Sequence, residues 1–184
     1  QFIEEILLPS GNFPPVNACR VVLKSLCSRG DPFTETCERF FLNLILSNAV
    51  TDSTMLQYVF MSLSSNHHAT NRIDRAEKLW NLCVMERNTK PTTVLINCLL
   101  DVYAKSSHIN TDIPKMAEDI LLNRFRMYDL YADHVSFNTA INCYAQSNHP
   151  KSFDNAVKIF ELACNSEVTL TSISYTVLLK ALSR

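Results

Sequence analysis

Glycine is scarce in this chain of 184 amino acids, with only two copies. Average usage is about 7%. Tight β-turns, phosphate-binding loops and dinucleotide-binding motifs all depend on glycine, because they need positive backbone φ angles or a close backbone approach. The scarcity of glycine therefore argues against an all-β fold and against a Rossmann or phosphate-loop domain. Long apolar runs are missing as well, and none approaches the roughly 18 residues that suggest a membrane-spanning helix.

The motifs of metal-dependent and nucleophilic chemistry are also absent. The seven cysteines include no CxxC pair. His67 and His68 are adjacent, a spacing at which two side chains rarely bind one metal ion. There is no HxE motif with a later CxxC, as a zinc deaminase needs, and no nucleophile elbow. We therefore expect no catalytic residues, no metal and no cofactor, and we expect reduced cysteines packed between helices.

The charge balance excludes a strongly basic protein, since 17 lysines and arginines stand against 18 aspartates and glutamates. A formal net charge of −1 gives no support for a tight grip on a phosphate backbone. Hydrophobic residues make up 47% of the chain and charged residues 19%, which is the composition of a folded globular protein.

The strongest positive feature is an apolar pattern with offsets 0, 3, 4 and 7, the spacing of a buried helical stripe. It recurs nine times in two alternating series. The first series, the A stripes, begins at Cys19, Leu56, Ile96, Phe137 and Tyr175. The second series, the B stripes, begins at Cys37, Ala76, Ala117 and Ala156. Arg124, at the end of the third B stripe, is the one charged residue in the pattern.

The spacing between stripes predicts stacked helical hairpins. Each A stripe follows the preceding B stripe by 19 or 20 residues, whereas the step from A to B varies from 18 to 21. Stacked repeats tolerate insertions on one edge and keep the contact between successive units constant. Four residues with side-chain oxygens precede A stripes and should cap the first helical turn: Asp52, Thr92, Asp133 and Thr171.

Several segments resemble the pentatricopeptide repeat, a unit of about 35 residues built from two antiparallel helices. Residues 134–141 (HVSFNTAI) and 172–179 (SISYTVLL) resemble the start of the repeat, residues 90–92 (KPT) its end and residues 155–161 (NAVKIFE) its second helix. A tetratricopeptide repeat would place glycine in the first helix, where this chain has none.

The resemblance implies an all-α, right-handed α-solenoid forming one domain over residues 1–184. Its partial repeats would be 1–15 and 172–184, and its full repeats about 16–52, 53–92, 93–133 and 134–171. Because both ends fall within a repeat, we expect the chain to be truncated at both ends.

In this family the fifth and last residues of a repeat together recognise one base, and the second residue packs on the base faces. Transferred by position, the pair Asn97 and Asp133 implies uracil, and Asn138 with Thr171 implies a pyrimidine. An asparagine amide offers a donor and an acceptor, and a neighbouring carboxylate can orient it. The remaining RNA-binding positions in the second half are Val94, Val135 and Ile173 as clamps, Thr176 as a fifth residue and Lys105 at the phosphate-facing position.

The first two repeats do not follow this code. Arg20 with Asp52 and Gln57 with Thr92 imply no base, and the second positions, Asn17 and Thr54, are polar where the family has an apolar clamp. Any base recognition is therefore expected in the second half of the chain.

The resemblance implies a sequence-dependent, single-stranded RNA-binding adaptor for processing, stability, editing or translation of transcripts in a mitochondrion or chloroplast. Its partner would be pyrimidine-containing RNA with uracil at the third repeat, with other proteins as further partners and no membrane. Two alternatives stay open at this point. The chain could be a helical scaffold for protein–protein interaction, with Asn97 and Asn138 as ordinary polar residues near helix starts. It could also be the repeat arm of a larger RNA-processing enzyme.

Overall fold

A computed structural model describes residues 14–49, 51–66 and 71–183, and every regular element in these ranges is helical. The longer α-helices are α1 (Val16–Ser28), α2 (Thr34–Leu46), α3 (Ser53–Ser65), α4 (Arg72–Trp80), α5 (Thr93–Ser106), α6 (Ile113–Asp119), α7 (His134–Gln146), α8 (Ser152–Cys164) and α9 (Ser172–Leu182). A three-residue α-helical turn, Phe125–Met127, lies between α6 and α7. A 3-10 turn, Asp31–Phe33, precedes α2. The predicted all-α class is confirmed for the described residues, and α1 to α9 follow the alternating order of the A and B stripes.

Two of the B helices continue into π-helical turns, Asn81–Glu86 after α4 and Ile120–Arg124 after α6. A π turn accommodates one more residue than an α turn, because each amide bonds five residues back. The second π turn explains why Arg124 breaks the stripe. The buried position is occupied by Phe125, which is 3% exposed, while Arg124 is only partly buried.

The predicted caps are present at the start of three A helices. Each cap oxygen accepts a hydrogen bond from the backbone N–H three residues on: Asp52 from Met55 at 2.9 Å, Thr92 from Leu95 at 3.2 Å and Asp133 from Ser136 at 2.9 Å. At the fourth start, Ser174 Oγ accepts from the backbone N–H of Thr171 at 3.1 Å. These bonds satisfy amides that the first turn of a helix leaves without a partner.

The ends of the first three B helices use asparagine or aspartate in the place that glycine commonly takes. Asn48, Asn88 and Asp129 have φ angles of 55°, 55° and 54°, in the left-handed region. Short polar side chains tolerate this conformation better than other non-glycine residues do. The chain can therefore end its helices while containing only two glycines.

The chain divides into two compact units, Gln1–Lys90 and Pro91–Arg184, hereafter unit 1 and unit 2. In unit 1, α3 packs against α1, α2 and α4, and in unit 2, α7 packs against α5, α6, α8 and α9. Each unit thus places consecutive A helices side by side, which brings residues about 35 positions apart into contact. None of the described helices combines the length and apolarity needed to cross a bilayer.

Candidate nucleic-acid interface

Asn97 and Asp133, the predicted uracil pair, are joined by a hydrogen bond in unit 2. Asn97 lies on α5, Asp133 caps α7, and Asn97 Nδ2 donates to Asp133 Oδ1 at 3.0 Å. Ser136, in the first turn of α7, is the third member of this network. Its Oγ lies 2.6 Å from Asn97 Oδ1 and 3.0 Å from Asp133 Oδ1. Ser136 is fully buried and Asn97 is 8% exposed, so the network is held rigidly at the contact between α5 and α7.

The pKa of Asp133 lies below its ordinary value. Burial by itself raises this pKa, but hydrogen bonds from the Ser136 backbone, the Asn97 amide and the Ser136 hydroxyl, together with the nearby His134, outweigh burial. Each of these donors favours the charged carboxylate. The cap of α7 is therefore a carboxylate at neutral pH.

A charged Asp133 fixes the orientation of the Asn97 amide. A carboxylate only accepts hydrogen bonds, so the NH₂ group of Asn97 must face it and the carbonyl must face Ser136. One N–H of Asn97 and one lone pair of its carbonyl are not used by these bonds. The amide can therefore offer a ligand one donor and one acceptor in a fixed arrangement.

A groove of about 360 Å³ lies between α7 and α9 in unit 2. Four predicted RNA-binding residues line it, namely Val135, Asn138, Ile173 and Thr176. Val135 is 43% exposed and Ile173 61% exposed, so two apolar side chains face solvent at the groove. An apolar lining with a few polar groups is typical of a ligand-binding cavity.

Asn138 is 8% exposed, and its Oδ1 is buried without a hydrogen-bond partner. The structure shows no hydrogen bond between the side chains of Asn138 and Thr171, its predicted pair. An unsatisfied buried acceptor costs about 1–3 kcal/mol.

The other predicted positions of unit 2 lie on the same helices. Val94 is 55% exposed at the start of α5, Thr176 is exposed on α9, and Lys105 is half-buried near the end of α5. Val94 and Lys105 do not line the groove between α7 and α9.

Sequence reasoning missed six groove residues, and three of them, Asp101, Asn142 and Lys180, share a simple spacing. Each stands four residues after a predicted base-contacting position, and side chains four apart share one face of a helix. Lys180 Nζ donates to Asn142 Oδ1 at 3.3 Å and adds a positive charge at the groove. The helical spacing was the signal that could have identified them.

In unit 1 the equivalent positions form an ion pair. Arg20 Nε donates to Asp52 Oδ2 at 2.7 Å, and a second guanidinium nitrogen bonds the same oxygen. The remaining terminal nitrogen of Arg20 donates to Asn17 Oδ1 at 3.0 Å. The second, fifth and last positions of the first repeat are thus bonded to one another. Gln57 is half-buried on α3, and Thr92 caps α5 in unit 2.

The described ranges offer little for metal binding or thiol chemistry. These ranges contain no group of three or more histidines, cysteines, aspartates or glutamates that could hold a metal ion. His67 and His68 lie outside them. The seven cysteines are all free thiols, and burial raises the pKa of Cys37 to about 12, of Cys83 to about 11 and of Cys143 to about 12. These three thiols are unreactive at neutral pH.

Comparison with known proteins assigns the chain to no family. No protein-family model matches the sequence, and no curated protein matches it significantly.

Proposed function

We propose that the chain is a single-stranded RNA-binding adaptor of the pentatricopeptide-repeat type, which recognises pyrimidines through α5, α7 and α9. The observation that carries the proposal is the groove between α7 and α9, where apolar side chains at second positions flank a buried asparagine at a fifth position. Such a groove offers the faces of a base apolar contacts and its edge a hydrogen-bonding group, which is how proteins recognise unstacked bases.

The network at Asn97 supports uracil as the ligand of the third repeat. Uracil presents two carbonyl acceptors on either side of one N–H donor. The Asn97 amide can donate to a carbonyl and accept from the N–H at the same time. Val94, exposed at the start of the same helix, supplies an apolar contact for the base.

The expected affinity is modest, because only two positions combine a fifth-position asparagine with an apolar second residue. Stacking contributes about 1–3 kcal/mol per base, so the chain should bind RNA no more tightly than about micromolar at physiological salt. The net charge of −1 also favours weak binding, because the chain has no basic excess to attract the phosphate backbone.

The finer architecture and the cellular setting are parts of the same proposal. An α-solenoid is supported by the near-constant step from B to A stripes and by the packing of successive A helices within each unit, and its right-handed sense rests on the sequence resemblance. The role in transcript processing, stability, editing or translation in a mitochondrion or chloroplast rests on the sequence resemblance alone.

A protein-binding scaffold is the second candidate, and α9 carries the observation that favours it. Tyr175, Leu179 and Leu182 are 53%, 63% and 59% exposed, an apolar face of the kind that protein partners cover.

Fluorescence anisotropy with labelled oligo-U and oligo-A at two salt concentrations tests the proposal. We expect micromolar binding to oligo-U that weakens with salt, weaker binding to oligo-A, and a several-fold loss of oligo-U affinity in Asn97→Ala. Asn123→Ala is the matched control, since Asn123 is an exposed asparagine on the π turn of unit 2, away from the groove. If the wild type fails to bind either oligonucleotide at low salt, or if both variants bind equally to the wild type, the scaffold function is favoured instead.

A further inference from the structure

We propose that Lys180 binds a backbone phosphate of single-stranded RNA at the α9 side of the groove, while Asp101 keeps phosphates away from its α5 side. This inference rests on the proposed RNA-binding function and adds to it the path of the RNA backbone. Neither residue stands at a position that the sequence resemblance assigns to RNA contact. Lys105, which does stand at such a position, is not part of the groove lining.

The charged side chains of the groove are distributed unequally. α7 packs against both α5 and α9, so the groove has an α5 side and an α9 side. Asp101 is contributed to the lining by α5 and Lys180 by α9, and His134, at the start of α7, is the third ionisable residue. A phosphodiester in the groove therefore meets an ammonium group on one side and a carboxylate on the other.

Lys180 is positioned at the groove by Asn142. Its Nζ donates to Asn142 Oδ1 at 3.3 Å, a bond that connects α9 to α7. A lysine ammonium has three N–H donors, so two are left for the oxygens of a phosphate. Lys180 is exposed and Asn142 is half-buried, so a ligand can reach the ammonium group. Its hydrogen bonds to a phosphate would be charge-assisted, and such bonds are stronger than those between neutral groups.

The apolar residues of the groove and Lys180 are spaced to contact different parts of one nucleotide. Val135 and Ile173 are exposed at the groove and offer apolar contacts to the faces of a base. Lys180 follows Ile173 by seven residues, which places it on the same face of α9, about 10 Å further along the helix axis. A backbone displaced toward α5 would instead bring its phosphates near Asp101, and like charges repel.

A lysine variant with a charge-matched control tests the phosphate contact. By fluorescence anisotropy, we expect Lys180→Gln to weaken binding of oligo-U and oligo-A by the same factor, about three- to tenfold at low salt. The slope of log affinity against log salt should become shallower by about 0.7, as one phosphate contact is lost. Lys24→Gln is the control, because Lys24 is an exposed lysine at the same position of the first repeat, on α1. Equal affinities and slopes in the two variants would overturn the proposal.

Neutralising Asp101 should have the opposite effect. We expect Asp101→Asn to strengthen oligo-U binding about two- to threefold at low salt and less at high salt, because salt screens the repulsion. Glu161→Gln is the control, since it makes the same change in net charge at an exposed site on α8. If Asp101→Asn bound no more tightly than Glu161→Gln, the role of Asp101 would be wrong.

An uncharged backbone identifies the chemical group that Lys180 contacts. When the phosphodiesters of oligo-U are replaced by methylphosphonates, the wild type and Lys180→Gln should bind equally. A difference that persists would place Lys180 against the base or sugar and would overturn the proposal. If the wild type binds unmodified oligo-U but Lys180→Gln behaves like Lys24→Gln, this inference alone fails. If the wild type does not bind unmodified oligo-U at low salt, the proposed function fails with it.

Discussion

Units 1 and 2 bring equivalent side chains together at the contact between successive A helices, but the two contacts differ in chemistry. In unit 1, Arg20 and Asp52 form an ion pair that also engages Asn17. In unit 2, Asn97 and Asp133 form an amide–carboxylate bond that leaves one donor and one acceptor of the amide for a ligand. The fold sets which positions meet, and the residue types decide whether that contact can also bind a base.

The two units have similar aromatic cores. In unit 1, Phe41 and Phe60 are 0% exposed, and Trp80, at offset 4 of the second B stripe, is 2% exposed. Unit 2 likewise buries Phe125 and Tyr144, which are 3% and 1% exposed. The difference between the units therefore lies in the groove and the amide–carboxylate contact of unit 2, and not in the burial of aromatic side chains.

The largest expected effect comes from the core of unit 1. Phe41→Ala should lower the free energy of unfolding by about 3–5 kcal/mol, because a buried ring is lost and a cavity remains. It should leave the ratio of oligo-U to oligo-A affinity unchanged, provided that binding is measured where the variant is folded. Urea denaturation gives the stability change, and Val21→Ala, at a 67% exposed site of α1, is the control. A changed base preference in Phe41→Ala would contradict the assignment of base recognition to unit 2.

Converting the contact of unit 1 to that of unit 2 should give the next largest effect. The double variant Asn17→Val with Arg20→Asn recreates the clamp and the amide beside Asp52. We expect oligo-U affinity to rise about tenfold, equivalent to about 1.4 kcal/mol, as one more base is stacked. Arg20→Ala is the control that removes the ion pair without supplying an amide. A double variant that binds no better than this control would show that residue type alone does not account for the difference.

A smaller effect is expected at Asn138. Because its carbonyl is buried without a partner, Asn138→Ala should leave the free energy of unfolding unchanged or raise it by up to about 1 kcal/mol. Asn97→Ala breaks a satisfied network and should lower it by about 1 kcal/mol. Both should weaken binding to oligo-U several-fold. Equal destabilisation by the two substitutions, measured by urea denaturation, would contradict the different bonding of the two asparagines.

The smallest effect is the pH dependence that Asp133 gives unit 2. A carboxylate whose pKa is lowered in the folded state stabilises fully above the ordinary aspartate pKa of about 3.9, and this stabilisation is lost as the pH falls through the lower folded pKa. The difference in unfolding free energy between the wild type and Asp133→Asn should therefore be larger at pH 6 than at pH 3. A difference that stays constant across this range would show that the Asp133 charge contributes nothing to the network.

Much of the local structure follows from the sequence because it depends on short-range spacing. The apolar stripes predicted α1 to α9, and the caps at Asp52, Thr92 and Asp133 were predictable from their position before an A stripe. The π turn that ends at Arg124 was not predictable from the sequence, because one additional residue in a helical turn depends on packing against neighbouring helices. The left-handed conformations of Asn48, Asn88 and Asp129 at the helix ends were not predictable either, because most asparagines and aspartates adopt other conformations.

The candidate site was predictable only in part. Helical spacing and the resemblance together identified Asn97, Asp133 and the groove residues around Asn138. The hydrogen bond between Ser136 and Asn97 and the unsatisfied carbonyl of Asn138 depend on interatomic distances across a helix contact, which spacing along the sequence does not specify. The groove residues Asp101, Asn142 and Lys180 follow from the same spacing and were missed because only known contact positions were considered.

Photo-crosslinking to a 4-thiouridine-containing oligonucleotide, followed by mass spectrometry of the crosslinked peptides, tests the division between the units most directly. We expect the crosslinks to fall between Val94 and Thr176, on α5, α7 and the start of α9. Crosslinks found mainly between Val16 and Leu63, with none between Val94 and Thr176, would contradict the assignment of RNA recognition to unit 2.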